Sequence, residues 1–294
     1  MITVCVPVYN YHVTPLAMKL SKQAHLADFP VEILFLDDGS DQAYAPFNDS
    51  LSKLNHIRFI SQKNQGRSRT RNHLAEMALG EYLIFMDCDC DVPDDFIAKY
   101  AAYCRPGQVV VGGLQYHERP QDPSLWLRWK VGVKREVRSL KRRQAEPYAS
   151  FLSSNFMVPK NLMSKLAFDE NMRGYGHEDT LFGLALKRHK VPLVHIENAV
   201  FHQGIDRADA YLKKLEQSID NLVLIGDQAE LAEGFKLFRY YLFIKKAGLT
   251  RLFNQLFNRV EPAMKKQFLQ GSDSLLLLDL YKLGLLCQKS RHSR

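Results

Sequence analysis

An acidic run, Asp87–Asp91 (DCDCD), directly follows Tyr82–Met86, an apolar stretch typical of a buried strand. Carboxylates spaced two residues apart repel one another unless a cation lies among them. Mg²⁺ and Mn²⁺ prefer carboxylate and phosphate oxygens, so the run predicts a divalent metal site beside a phosphate-bearing ligand. A solvated acidic turn before the next helix is the alternative, but the position at a strand end favours metal binding.

Polar residues also follow two other apolar stretches of the first half. Tyr9 and Asn10 come after Ile2–Val8, and Asp37–Ser40 (DDGS) comes after Val31–Leu36. Acidic side chains at a strand end can accept hydrogen bonds from a ribose or from a base edge. Asp, Gly and Ser are also common in ordinary turns, so residue chemistry leaves both interpretations of Asp37–Ser40 open.

A basic sequence, Gly66–Asn72 (GRSRTRN), opens a predicted helix. Free amides at a helix start and guanidinium groups both favour phosphate, so this sequence predicts an anion site. Arg69 and Arg71 cannot face the same side of a helix, and we expect one to bind the ligand and the other to be structural. A solvated basic helix face is the alternative.

The glycine-flanked acids of Gly174–Asp179 (GYGHED) are candidates for a general base, which must lie within hydrogen-bond reach of an acceptor hydroxyl. Asp179 could instead cap a helix that begins at Thr180, and Glu178 and Asp179 could divide the two roles. His202 follows an apolar segment. A lone histidine is more often structural than a metal ligand, so its chemistry alone gives weak support for metal binding.

Strand and helix patterns alternate through the first half of the chain, which predicts an α/β fold with a largely parallel sheet. Ligands in such folds bind beyond the carboxyl ends of the strands, where the polar motifs above are located. The pattern then predicts one basic amphipathic helix over Ser124–Arg143 and helices from about residue 210 to the end.

Together these motifs resemble the inverting family 2 glycosyltransferases, including chondroitin-polymerase-like and polypeptide GalNAc-transferase-like relatives. The resemblance covers about residues 1–205 and rests on VPVYN (6–10), DDGS (37–40), NQG (64–66), RTRN (69–72), DCD (87–89), SNF (154–156), GHED (176–179) and FH (201–202). It implies a GT-A fold, Rossmann-like, with a mostly parallel central sheet and flanking helices. We expect a catalytic domain over 1–209 and a basic helical extension over 210–294.

The resemblance also implies an activity, the transfer of one sugar with inversion from a nucleotide-sugar to a glycan or lipid-linked glycan. The donor that the resemblance favours is a UDP-sugar. Asp179 would be the base and Glu178 would hold the acceptor or the sugar. Asp89 and His202 would ligate Mn²⁺ or Mg²⁺. The donor-binding positions would be Pro7, Tyr9, Asn10, Asp37, Asp38, Gly66, Arg69, Arg71, Asp87, Cys88 and Asn155. Processive synthases carry Gln-x-x-Arg-Trp, which is absent, so we expect a single addition.

Several other functional classes fit the sequence poorly. GxGxxG and GxxxxGK[ST] are absent, which argues against a dehydrogenase and a P-loop hydrolase. A sugar-nucleotide pyrophosphorylase would be expected to carry a glycine-rich loop after its first strand, and Tyr9–Thr14 has no glycine. That enzyme and a non-catalytic nucleotide- or glycan-binding protein stay as alternatives.

The composition indicates a globular cytoplasmic protein, since 46% of its 294 residues are hydrophobic and the five cysteines form no CxxC pair. The first residues lack the pattern of a signal peptide. From Phe235 onward there are twelve basic and three acidic residues. Such helices could lie on an anionic membrane, giving a peripheral location on its inner face, or pack on the catalytic domain or in a homodimer. No nucleic-acid motif accompanies them, so we expect no nucleic-acid partner.

Overall fold

The computed structural model describes residues 1–172, 174–226 and 235–290, and the chain divides into two compact units. Unit 1 consists of Met1–His117, Val137–Glu170 and Glu178–Gly204. Unit 2 consists of Glu118–Glu136, Asn171–His177 and Ile205–Arg294. The sequence-based boundary after residue 209 lies close to the last of these divisions, but two earlier segments also belong to unit 2.

In the described ranges of the chain, the strands all lie in unit 1. They are β1 (Ile2–Val8), β2 (Val31–Asp37), β3 (Ile57–Ser61), β4 (Tyr82–Met86), β5 (Cys90–Asp91), β6 (Val109–Val111), β7 (Leu114–Tyr116), β8 (Asn155–Pro159), β9 (Leu193–His195) and β10 (Val200–His202). Within the described residues, seven of them form a sheet in the order β3-β2-β1-β4-β8-β6-β9. Only β8 in this sheet runs antiparallel to its neighbours, β4 and β6. The predicted mostly parallel α/β fold is confirmed.

The central strands are apolar on both faces because helices cover both sides of the sheet. In β1, Val4 and Val6 belong to one buried cluster, whereas Cys5 belongs to the cluster on the opposite face. In β4, Ile84 joins the first cluster and Phe85 the second. This alternation fixes the register of the sheet, since a slip of one residue would exchange the two faces.

The helices and helical turns of both units have the following bounds. They are α1 (Thr14–Leu26), α2 (Ala45–Asn48), α3 (Arg67–Met77), α4 (Phe96–Ala101), α5 (Trp126–Val131), α6 (Leu140–Ala145), α7 (Lys160–Met163), α8 (Glu178–Arg188), α9 (Ala208–Gly226), α10 (Lys236–Lys246), α11 (Thr250–Leu269) and α12 (Leu275–Lys289). Short 3-10 turns cover Gln42–Tyr44, Asp49–Lys53, Pro123–Leu125 and Tyr148–Ser150, and a π-helical turn covers Gly132–Glu136.

A smaller sheet of unit 1 has the order β5-β10-β7. Strand β10 pairs antiparallel with β5 and parallel with β7. His202 is in register with Cys90 on one side and with Tyr116 on the other. This pairing joins residue 202 to the acidic run that follows β4.

Unit 2 is helical in its described part. Helix α12 packs against α9, α10 and α11, which form the predicted C-terminal helical region. A Cβ on Gly284 would lie 2.1 Å from a ring carbon of Phe257, so only glycine permits this close packing of α12 on α11. In the described ranges, no helix combines the length and the apolar character needed to cross a bilayer.

The prediction of one helix over Ser124–Arg143 is wrong. Helix α5 ends at Val131, and α6 begins at Leu140 after the π-helical turn. The guanidinium of Arg128 is buried and pairs with Glu136 at 3.0 Å, and the side chain of Ser139 caps α6. Arg138 donates to the carbonyl of Ala149 at 2.8 Å. These contacts of basic side chains outweigh the helical periodicity.

Candidate functional site

The ends of β1 and β2 are tied together at the carboxyl edge of the sheet. The amide of Asp38 donates to the carbonyl of Val8 at 2.8 Å. The amide of Asn10 donates to Ser40 Oγ at 2.8 Å, and the Asn10 side chain exchanges two hydrogen bonds with Asp41. Asn10 has a φ of 49°, in the left-handed region that asparagine tolerates better than most residues. Its side chain therefore shapes the two loops around the site.

The two adjacent acids after β2 have different environments. Asp38 is only 5% exposed, and its carboxylate accepts hydrogen bonds from the amides of Gln65 and Gly66 at 2.8 and 2.9 Å. Asp37 accepts from the amide and the hydroxyl of Ser40. Asp38 therefore fixes the loop that leads into α3, which is a positioning role.

Three of the predicted donor-binding positions leave room for a ligand. Tyr9 is 54% exposed and Pro7 is partly buried at the end of β1. Gly66 precedes α3 with a φ of 87°, and a Cβ there would meet no atom within 4 Å. The edge next to the start of α3 is therefore accessible.

The buried guanidinium of Arg71 forms an ion pair with the partly exposed carboxylate of Asp87, beside Glu178. Arg71 is 2% exposed, and its Nη2 donates to Asp87 Oδ1 at 2.8 Å. Its Nη1 lies 4.0 Å from Glu178 Oε1, and Arg67 Nη1 lies 3.5 Å from the same oxygen. Burial alone would raise the pKa of Asp87, but Arg71 and Arg67 hold that pKa below its ordinary value.

Arg69 is on the other side of α3. It is exposed, and its Nε lies 3.5 Å from Glu170 Oε2. Arg71 is therefore the arginine of this pair that lies beside the acids of the site, as the helical spacing requires for one of the two.

Asp179 lies in the first turn of α8 instead of capping it. Its Oδ1 accepts from the amide of Ser153 at 3.3 Å. Burial and the neighbouring Glu178 carboxylate raise the pKa of Asp179 to about 7, against the opposing effect of Arg71. A carboxylate with this pKa can take up a proton near neutral pH.

The loop just before Glu178 and Asp179 is anchored within unit 2. Asn221 of α9 is 1% exposed and donates to the carbonyls of Tyr175 and Gly176 at 3.3 and 3.2 Å. Gly176 has a φ of 100°, and a Cβ there would lie 2.6 Å from the Cβ of Ser218. Helix α9 therefore restrains the backbone that leads into the predicted base.

Asp89 and His202 lie next to each other although 113 residues separate them in sequence. His202 Nε2 is 3.6 Å from Asp89 Oδ2, and the carbonyl of Asp89 accepts from the amide of Gln203 at 2.8 Å. A Cβ on Gly204 would lie 2.4 Å from Asp89 Oδ2, so only glycine leaves space for this carboxylate. The ring of His202 stacks on Tyr116 with centroids 5.1 Å apart.

The Asp89–His202 pair fits two ligand positions of one divalent ion. Metal–ligand distances of about 2.1 Å place two neighbouring ligand atoms roughly 3 to 4 Å apart. The described part of the chain holds no group of three or more potential metal-ligating side chains. Two protein ligands suit an ion that takes its remaining ligands from water and substrate phosphates. Nδ1 of His202 is buried without a hydrogen-bond partner in the described residues, and the ring is in stacking contact with Tyr116.

Two further residues of the acidic run and one residue of β8 have well-defined surroundings. Asp91 forms an ion pair with Lys19 at 2.5 Å, which directs its carboxylate to that lysine. Burial raises the pKa of the Cys88 thiol, so this side chain stays neutral. Asn155 is 1% exposed and bonds to Tyr100, Gly113 and Asn198. Its amide is engaged within the protein and positions β8 beside β4.

Sequence reasoning did not assign roles to several residues that surround the acids. Arg67 approaches Glu178, Ser153 holds Asp179, and Tyr116 holds His202. Burial and the nearby Asp89 raise the pKa of Tyr11 to about 12, which identifies this phenol as a neighbour of the acidic run. Arg67 belongs to the basic motif of α3 and could have been named, but the other contacts arise only from folding.

Comparison with known sequences identifies a family. The model described as glycosyl transferase family 2 matches residues 3–167. A hyaluronan synthase of Pasteurella multocida is 23% identical over 208 residues, which are 59% of this chain and 21% of that protein. The chain therefore spans about a fifth of the length of this relative.

Two solved structures have similar folds. TarS of S. aureus, solved also with UDP and with UDP-GlcNAc, gives a TM-score of 0.53 at 17% identity over 99% of this chain and 89% of that chain. A mannosyltransferase from Pyrobaculum calidifontis, in complex with GDP-Man and Mn²⁺, gives 0.55 at 13% identity over 99% and 86%. These likenesses concern the fold, and they confirm the GT-A architecture. Since the family model covers more than half of the chain, the protein belongs to glycosyl transferase family 2.

Proposed function

We propose that this glycosyltransferase transfers one sugar from a nucleotide-sugar to a glycan or lipid-linked glycan, with inversion at the anomeric carbon. The observation that carries the proposal is the carboxyl group of Asp179. Its pKa of about 7 lies near neutrality. The amide of Ser153 donates to it at 3.3 Å, and the carbonyl of the next residue, Ser154, accepts from the amide of Asp87. A general base with this pKa suits deprotonation of a sugar hydroxyl.

The reaction is a single in-line displacement. The acceptor hydroxyl oxygen forms a bond to the anomeric carbon while its proton passes to Asp179. The bond between that carbon and the diphosphate oxygen breaks, and the nucleoside diphosphate leaves with the electron pair. Because attack and departure are on opposite faces, an α-linked donor gives a β-linked product. Glu178, 3.5 Å from Arg67, orients the acceptor or the transferred sugar.

The proposed metal ligands are Asp89 and His202, with Mn²⁺ or Mg²⁺ as the ion. A bound divalent ion supplies charge neutralisation for a diphosphate leaving group. On the protein side, Gly204 keeps space for the Asp89 carboxylate, and Tyr116 fixes the plane of the His202 ring. Asp91 is assigned no metal role because it pairs with Lys19.

A UDP-sugar is the proposed donor. TarS, which shares the fold, has been solved with UDP and UDP-GlcNAc, whereas the mannosyltransferase has been solved with GDP-Man. Tyr9 is exposed and suited to stack on the base. The other proposed donor contacts are Pro7, Asp87, the open edge at Gly66 and the backbone beside Cys88. Four further residues position the loops and strands that carry these contacts: Asn10, Asp37, Asp38 and Asn155. Arg69 contributes positive charge at a greater distance.

The test is a nucleotide-release panel with Mn²⁺ and UDP-Glc, UDP-Gal, UDP-GlcNAc, UDP-GalNAc, UDP-GlcA and GDP-Man. We expect one donor to be hydrolysed slowly, with release of nucleoside diphosphate, and hydrolysis to be lost in Asp89→Ala. UDP binding with Mn²⁺ is measured on the same samples, since hydrolysis can require an acceptor. If the folded protein neither binds UDP nor releases nucleoside diphosphate from any of these donors, the proposal is contradicted.

Asp91→Ala is the matched control because it removes an acid from the same run without touching the Asp89–His202 pair. It should keep metal-dependent UDP binding within about twofold to threefold of the unmodified chain, as expected for a residue outside the site. Equal losses in both variants would argue for a structural role of the whole run instead. Release of pyrophosphate instead of nucleoside diphosphate would indicate a pyrophosphorylase.

A further inference from the structure

Helices α10 and α11 of unit 2 leave a row of large apolar side chains in solvent. Six of them have exposed fractions between 49% and 72%: Tyr240, Phe243, Leu249, Leu252, Leu256 and Val260. Both helices bury their other sides, with Phe238 and Tyr241 in α10 and Phe257 in α11, and both pack on α12. The exposed row is therefore the outward side of two helices that are already folded against their own core.

The spacing of this row follows the helix repeat. In and just before α11, Leu249, Leu252, Leu256 and Val260 recur at intervals of three or four residues, which places them on one stripe. In α10, Tyr240 and Phe243 are three residues apart. Soluble proteins rarely leave an apolar stripe of this kind exposed unless it contacts a partner or a membrane.

Positive charge accompanies the apolar row. The segment Lys236–Val260, called here the basic apolar segment, holds six cations and no Asp or Glu: Lys236, Arg239, Lys245, Lys246, Arg251 and Arg259. All six are exposed. Lys and Arg stems lie along apolar surface while their charges reach the phosphate level of a bilayer.

We propose that the basic apolar segment docks unit 2 on a membrane surface that contains anionic lipids. The apolar stripe would enter the boundary between headgroups and acyl chains, and the six cations would contact lipid phosphates. A second copy of the chain is a poorer occupant. In a symmetric dimer the same patch meets itself, so the six cations of one protomer would face those of the other.

The test is flotation of the full-length protein with vesicles, without any sugar donor, so that its outcome is separate from the proposed transfer reaction. Vesicles of phosphatidylcholine with phosphatidylglycerol are compared with pure phosphatidylcholine at physiological ionic strength. We expect clear binding to the anionic vesicles, weakened by added salt, and at least about tenfold weaker binding to the neutral ones.

Two double variants separate the contributions. Lys245→Glu with Lys246→Glu should weaken binding to anionic vesicles by at least about tenfold, because each basic residue near such a surface contributes roughly fivefold. Phe243→Ser with Leu252→Ser should weaken binding to both kinds of vesicle. Lys22→Glu with Lys53→Glu is the matched control, an equal charge change on exposed lysines of unit 1, and should bind as the unmodified chain does.

Analytical ultracentrifugation in the absence of lipid tests the alternative occupant. A monomer that floats with anionic vesicles supports membrane docking. Equal binding to both vesicles, or unchanged binding of the Lys245→Glu and Lys246→Glu variant, would overturn it. A dimer that Phe243→Ser with Leu252→Ser dissociates, together with no vesicle binding, would assign the surface to self-association. Circular dichroism is measured on each variant, and the lipid dependence of the unmodified chain decides the question if one fails to fold.

Discussion

The carboxyl group of Asp179 combines burial, a neighbouring acid and a single hydrogen bond from the amide of Ser153. Each of the first two effects disfavours its charged form. Asp87, by contrast, shares the buried Arg71 guanidinium and keeps a lowered pKa. The two carboxyl groups therefore differ in proton affinity, as the proposed division between a general base and a permanent anion requires.

The first prediction concerns the pH dependence of transfer. Because the base must be deprotonated, kcat/KM should rise with pH and level off above about 7, the pKa of Asp179. Asp179→Asn should lower kcat by about 10²- to 10⁴-fold and remove this rise. Initial rates from pH 5 to 9 measure it. A residual activity in Asp179→Asn with the same pH profile would assign the base to another group.

The second prediction concerns stability. The folded-state pKa of Asp179, about 7, is above the unfolded value of about 3.9, so its contribution to stability is present at low pH and is lost as pH rises through 7. Asp179→Asn carries no charge and escapes this loss. Its free energy of unfolding should match that of the unmodified chain near pH 4 and exceed it by more than about 1 kcal/mol at pH 8. Urea unfolding at both pH values checks it, with exposed Asp28→Asn expected to change stability by less than about 0.5 kcal/mol.

At the scale of elements, the C-terminal helices do more than present a basic surface, because one of them also binds the loop that precedes α8. Helix α9 holds the loop Gly174–His177 through Asn221, and the chain then enters α8 with Glu178 and Asp179 as its first residues. The segment that precedes the proposed base in sequence is thus held, within unit 2, by a helix that the sequence alone assigned to an appended region.

The third prediction tests this dependence. Asn221→Ala leaves two loop carbonyls without their donor, so we expect a loss of about 1–3 kcal/mol in unfolding free energy and at least about tenfold in kcat. Asn254→Ala is the control, since Asn254 is also buried in unit 2 but donates to the carbonyl of Cys287. Both should lower the melting temperature, but only Asn221→Ala should lower kcat when assayed below both transitions. Equal kcat values in the two variants would contradict the positioning role.

The strand ends of the first half could be predicted from sequence because apolar stretches stop at polar residues. The position of the Asp37–Ser40 and Asp87–Asp91 motifs at one edge follows from parallel pairing of β1, β2 and β4. The hydrogen bonds that Asp38 and Asn155 make within the protein could not be predicted, because a sequence motif does not show which protein groups its acids and amides contact. The break between α5 and α6 could not be predicted either, since the apolar and basic residues of Ser124–Arg143 keep a helical spacing across it.

The fourth prediction belongs to the whole molecule and combines the proposed reaction with the proposed membrane surface. Turnover of a lipid-linked glycan acceptor should be at least about fivefold faster in anionic than in neutral vesicles, because docking raises the local enzyme concentration. Lys245→Glu with Lys246→Glu should remove this preference, while nucleotide release with a water-soluble acceptor stays unchanged. Mass spectrometry of the product should give an increment of one sugar. A preference that survives in the variant would separate lipid selectivity from the basic apolar segment.

The chain passes between unit 1 and unit 2 five times, at residues 117–118, 136–137, 170–171, 177–178 and 204–205. Neither unit is therefore encoded by one continuous stretch of the gene. A recombination event at the boundary after residue 209 would separate Glu118–Glu136 and Asn171–His177 from the helices that share their unit. The helical unit is therefore assembled from three separate segments of the chain, and exchanging it as one module would need several junctions instead of one.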